Sequence, residues 1–335
     1  MSQWVDNSNP GTPQSEGAGE TGGSTAPANS GTPPAAPVRF PIWVRVVPFF
    51  LSSFLFLSGI FSIFAPLPIL LLFLHTNRKW AWLAALTNMV LVYVAGGPSA
   101  IHFYAVFVLS IALFLPELLF KKYSLEKACA LTLLILGLIA ALMVAGYAGL
   151  HHVNPFFELK NQVSALVDYM VQNLSPDARE QWMGTSEPAE WKHKMLVEIP
   201  SAVGMIALAL VWINLTLVLR LNPRRIREQL GIDSRYFQNW KSPEYLVWPT
   251  ILAGFLLLAE TGWPTDVALN VFKFLMAVYA IQGLAILSFM FDVWNIRGFF
   301  RTLAYVVAVF LMMPLLLSVG FFDQWFDFRA KFRQS

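Results

Sequence analysis

The sequence predicts an all-α fold: a polytopic helical membrane bundle of about eight full crossings plus one short proline-bounded helix, preceded by a disordered N-terminal tail. Three observations predict it. From about Val46 to Gly320, long uncharged apolar stretches recur between short charged connections. The composition is 56% hydrophobic and only 13% charged, with a mean hydropathy of +0.57, outside the range of soluble domains. Lysine and arginine gather in alternate connections, as the positive-inside rule requires. In lipid only helices and closed barrels satisfy their own backbone groups, and these stretches are too long and too continuously apolar for barrel strands.

Residues 1–40 form the tail. Met1 to Pro37 are rich in Gly, Ser, Thr, Asn and Pro, with Asp6, Glu16 and Glu20 as the only charges, so they cannot bury enough apolar area to offset ordering entropy. A basic n-region and an apolar h-region are missing, so the first crossing is expected to act as an uncleaved insertion signal. Residues 41–150 carry the N-terminal membrane helices. Their first apolar block, Val46 to Leu74, is too long for one crossing, and Pro66 and Pro68 interrupt it. It divides into a helix of about 46–63 and a short one of about 67–76, a thin crossing or a re-entrant piece; crossings near 80–95, 100–120 and 127–149 follow.

Residues 151–195 are expected outside, as amphipathic helices lying on the membrane or capping the bundle. Asn154-Pro155 provides an N-cap and an N1 proline, after which Phe156, Leu159, Val163, Leu166, Val167, Met170 and Leu174 recur at helical spacing. Ser175-Pro176 opens a second short helix that Gly184 ends. Residues 196–322 carry crossings near 197–219, 246–262, 267–291 and 301–320, and residues 323–335 form an aromatic and charged interfacial C-terminus.

Orientation follows from the basic residues. Arg78, Lys79, Lys121, Lys122 and Lys127, the cluster from Arg220 to Lys241, and Arg297 with Arg301 fall on one side if every candidate crosses. The Gly96-Gly97-Pro98-Ser99 turn and the Glu260-to-Asp266 connection carry no Lys or Arg, which makes the basic side cytoplasmic. The same count puts the C-terminus outside. If the short second helix crosses, the tail is cytoplasmic; if it does not, the tail is exported.

Ionisable and amide groups within spans are functional candidates by default. Asn270, Lys273, Tyr279 and Gln282 share one candidate helix and form the hypothesised ligand-binding set, although at ~100° per residue they do not make one stripe. Asn88 and Asn214 lie in other spans and can complete a cavity. The bland alternatives are interhelical hydrogen bonds and, for Lys273, snorkelling toward the Asp266 end. Glu117 precedes Lys121 by four residues, the spacing of a local ion pair. Gly137, Ala141, Ala145 and Gly149 line one helix face, for packing within the chain or between two copies.

Enzymatic signatures are missing. The sequence contains no H-E-x-x-H, G-x-S-x-G or P-loop pattern, so no catalytic constellation, metal site or cofactor is expected. His151 and His152 are adjacent and do not converge on a helix. Cys129 is the only cysteine, which excludes an intramolecular disulfide. Basic residues form no face with interleaved aromatics, so nucleic acid is not an expected partner.

Several stretches together resemble the YybS-like family of uncharacterised bacterial multi-pass membrane proteins. They are Ala65-Pro66-Leu67-Pro68-Ile69 with Arg78-Lys79, the Gly96-Gly97-Pro98 turn, Asn214 with the Arg220–Arg227 loop, Phe237 to Pro243, Ala268-Leu269-Asn270, Tyr279 to Leu284, and Gly320 to Arg329. The last is the most specific, and within it Asp323, Trp325, Asp327 and Arg329 stand out. Aromatic residues after the final helix suit the interfacial belt, so this motif reads as an anchor or as a contact that locks the last helix to the bundle or to a partner. Lys273 is not part of the family pattern. The front half is more remotely similar to the membrane fold of energy-coupling-factor transporter substrate-binding components and MreD, through its Pro-interrupted first block and small-residue-rich helices.

The expected protein therefore resides in the bacterial cytoplasmic membrane and binds a small molecule or lipid within its bundle, as a transport component with a separate energising subunit. The alternative is a non-enzymatic envelope assembly or scaffold protein with membrane-protein partners. Membrane lipid is a partner in either case.

Overall fold

The computed structural model describes residues 46–184, 187–221, 230–232, 236–259 and 262–334. The expected tail and the loop residues Arg224, Arg225, Arg227 and Arg235 lie outside them. All regular structure among the described residues is helical. Helices α1 (Pro48–Leu57) and α2 (Pro66–His75) are joined through a 3-10 turn at Ser62–Phe64. Helix α3 (Arg78–Phe103) continues through a π-helical run, Tyr104–Phe114, into α4 (Leu115–Phe120).

That last stretch is folded back on itself. The Arg78 guanidinium lies 3.0 Å from the Glu117 carboxylate, whereas about 40 residues of straight helix would separate them by ~60 Å. The reversal falls at Gly97, whose φ of 77° suits glycine, followed by Pro98. Ile69, Phe73, Ala81, Ala85, Ala112 and Leu113 consequently form one buried cluster from α2 and both arms. Glu117 takes its cation across the hairpin, and the local pair with Lys121 expected from spacing gives way to it.

Helix α5 (Leu125–His151) starts at an Ser124 cap and stands largely exposed, with only 17% of its most apolar window buried. Asn154 and Ser175 cap α6 (Pro155–Asn173) and α7 (Pro176–Met183), as their residue types dictate, and Gly184 ends α7 at φ 60°. Val163 and Val167 of α6 are buried, and Lys192 reaches Asp168 at 2.8 Å, so α6 docks on α8 (Pro188–Leu221). The C-terminal half contains α9 (Tyr236–Asn239), α10 (Val247–Leu258), α11 (Trp263–Val293), α12 (Gly298–Leu311), α13 (Met313–Phe326) and α14 (Phe328–Gln334).

By length and apolarity four helical stretches can cross a membrane: Arg78–Phe120, α5, α8 and α11. The pair α12 and α13 makes five if counted as one span, fewer than the eight expected. Three apolar segments, Pro48–Leu57, Ser62–His75 and Glu244–Leu258, are shorter than the usual ~17–25 residues. The crossing expected at 301–320 is two helices meeting at 93°. Met312 leaves helical geometry there at φ −116°, ψ 22°, and Pro314 lacks the donor that a continuing helix needs.

Three asparagines join helices by one device. Asn88, Asn214 and Asn270 each donate from Nδ2 to the carbonyl four residues back and to a backbone carbonyl of another element: Pro48, Ile63 and Val197 respectively. At α8 the insertion is complete. Asn270 Oδ1 also accepts the Ser201 N–H at 2.8 Å, so its amide replaces the 201-to-197 bond of the helix ladder beside Pro200.

Candidate functional site

The four candidate residues of α11 divide between two places. Near the α8 break, Asn270 makes the insertion just described, and Lys273 Nζ meets Glu198 Oε1 at 2.7 Å. The expectation that Lys273 snorkels toward Asp266 is thereby corrected, since a carboxylate on α8 lies within reach. Tyr279 is fully buried, packs edge-on to Phe321 with centroids 5.1 Å apart, and its hydroxyl accepts from Thr250. Gln282 belongs to a buried polar knot.

The knot gathers the most distinctive pieces of the sequence. Gln282 Nε2 donates to Asp323 Oδ2 at 2.9 Å, while its Oε1 accepts the Ser242 N–H at 3.0 Å and a Gln324 Nε2 donor at 3.1 Å. Arg329 bonds Asp323 Oδ2 at 2.7 Å and donates to the carbonyls of Gln238 and Trp240 at 3.1 and 2.8 Å. The Phe328 N–H fills Asp323 Oδ1 at 2.9 Å. Six residues separate the ion pair; Asp327, left-handed at φ 40°, ends α13 and turns Arg329 back toward it.

Asp323 is 0% and Arg329 5% exposed. The interfacial-anchor reading therefore fails for these two, whereas Trp325 and Asp327 remain exposed. Contact with Gln238 and Trp240 ties Arg329 to the segment that precedes α10. Both carboxylate oxygens of Asp323 are engaged, Gln324 Oε1 beside them is buried without a partner among the described residues, and the knot holds distant segments together.

What it holds is an aromatic partition. Phe237 and Trp240 flank the segment that Arg329 grips, and with Trp212 and Ile281 they line two apolar clefts at once. One cleft, of about 310 Å³, lies between α8, α11 and α12, with Tyr305 opposite and Arg220 at its edge. The other, of about 270 Å³, lies between α5, α8, α11 and the turn at 243–246 that leads into α10, with Glu126 and Lys127 among its lining residues. The Glu126 carboxylate accepts the Tyr236 hydroxyl, and burial together with that carboxylate raises the Tyr236 pKa, keeping it a neutral donor. Asn270, Lys273, Tyr279 and Gln282 line neither cleft. The polar residues of α11 lie apart from the clefts, which are built mainly from aromatic and aliphatic side chains. The tight Trp and Phe content of Phe237 to Trp240 was the available signal.

No group of His, Cys, Asp and Glu among the described residues is arranged to hold a metal ion. Bundle, proline-broken helices and apolar clefts define a helical integral membrane protein. The model of the predicted membrane protein family DUF2232 matches residues 44–324, and the chain belongs to that family. No curated protein and no solved structure matches it.

Proposed function

We propose that the protein binds a lipid or similarly apolar small molecule in the paired clefts of its C-terminal half. The observation that carries this reading is the partition: two clefts share a wall that a buried ion pair fixes from behind. Their size falls at or just below the lower bound of ~300–1,000 Å³ typical of small-molecule sites, and apolar walls suit acyl or polyprenyl chains. Bacterial cytoplasmic-membrane residence, the YybS-like relationship and a role as the binding component of a transport system belong to the same reading. So does the fuller crossing count. The 78–120 hairpin supplies two antiparallel arms, and α1, α2 and α10 are thin passes beside them.

The test is native mass spectrometry of the purified chain, before and after delipidation, with a panel of membrane lipids. Retention of defined lipid adducts that Trp240→Ala lowers at least tenfold is expected. Identical adduct patterns for wild type and Trp240→Ala would place lipid elsewhere and remove the reading.

A further inference from the structure

We infer that the two clefts hold a single anionic phospholipid astride the aromatic partition, the headgroup-proximal part of one acyl chain in each, with its phosphate drawn to the basic lining residues Arg220 and Lys127. This rests on the cleft-binding reading above and specifies the ligand. The shared wall of Trp212, Phe237 and Trp240 makes the clefts neighbours rather than independent sites, so a ligand with two apolar arms fills both.

Charge supplies the headgroup. Arg78, Lys192, Lys273, Arg301 and Arg329 each meet a carboxylate. Arg220 and Lys127, which line the two clefts, enter no ion pair among the described residues. Glu126 is the one acidic residue lining either cleft, and the Tyr236 hydroxyl already engages it. One cation in each cleft therefore outweighs the single carboxylate, and a phosphate diester is the lipid group that matches. Arg220 also sits in the last turn of α8, where the helix dipole favours a cation without any ligand. Lys127 has no such reason, since it lies in the first turn of α5, where the dipole disfavours positive charge.

Delipidated full-length protein is titrated in detergent with dioleoyl phosphatidylglycerol, dioleoyl phosphatidylcholine and oleoyl lysophosphatidylglycerol, following one-to-one adducts and melting temperature. Phosphatidylglycerol is expected to bind at least tenfold more tightly than either of the others. In Arg220→Gln/Lys127→Gln protein it should fall to the level of phosphatidylcholine, with unliganded melting unchanged because both side chains are exposed. Equal affinity for the two diacyl lipids overturns the headgroup assignment while leaving the cleft reading intact. Lysophosphatidylglycerol binding as tightly as the diacyl lipid overturns the two-chain arrangement. Loss of all three in folded protein overturns both this inference and the reading beneath it.

Discussion

Two regions of the molecule carry small residues on a helix face, and they are used in opposite ways. On α5, Gly137, Ala141, Ala145 and Gly149 are all exposed, and a Cβ built at Gly137 or Gly149 would meet nothing within 4 Å. Between α11 and α13, a Cβ at Gly283 would lie 2.2 Å from the Leu316 carbonyl oxygen, and one at Gly320 would lie 1.9 Å from that of Tyr279. A regular four-residue spacing marks the first face, and only the second brings two backbones together. Small residues permit close approach; a partner helix has to make use of it.

The sharpest way to break this contrast is Gly320→Leu. No rotamer avoids the Tyr279 backbone, so the loss should exceed the roughly 1–3 kcal/mol of ordinary overpacking and detach α13, read as loss of the monodisperse peak in detergent. Next comes Arg329→Ala. It leaves Asp323 charged and buried, which costs about 3–5 kcal/mol, whereas Asp323→Asn/Arg329→Met removes both charges while keeping an acceptor for Gln282 or the Phe328 N–H, and should recover part of the melting temperature. Asn270→Ala should cost about 1–3 kcal/mol by leaving Ser201 N–H and Val197 C=O without their side-chain partner. Smallest is Gly137→Leu, expected to leave monomer melting within about 0.5 kcal/mol of wild type. A large effect there, accompanied by a change in oligomer mass, would show that α5 pairs with a second copy.

Much of the helical architecture was legible because it depends on local signals. Prolines at 66, 155 and 176 open helices, and Asn154 and Ser175 cap them where their side chains predict. The Gly96-Gly97-Pro98 turn was readable for the same reason. The break at Met312 was not, because the apolar run continues through it and Pro314 alone does not separate a kink from a first-turn proline. The polar knot escaped a different way. Gln282, Asp323 and Arg329 stood out singly and Ser242 only within a longer stretch, yet Ser242, Gln282 and Arg329 come from segments far apart in sequence, and pairing across such distances leaves no periodic trace. Lys273 with Glu198 illustrates the same gap, since the two lie on different helices far apart in sequence.

The knot also sets an order of assembly. Gln238, Trp240, Ser242 and Gln282 are all synthesised before Asp323 and Arg329, which complete their bonding. Until those two arrive, the Gln282 amide and the Trp240 carbonyl are donors and acceptors with partners missing inside apolar surroundings, where each unmet group costs several kcal/mol. Docking of Asp323 and Arg329 is thus the event that closes the C-terminal half, and a chain stopped within α13 would carry unquenched polar groups as a chemical mark of its own incompleteness.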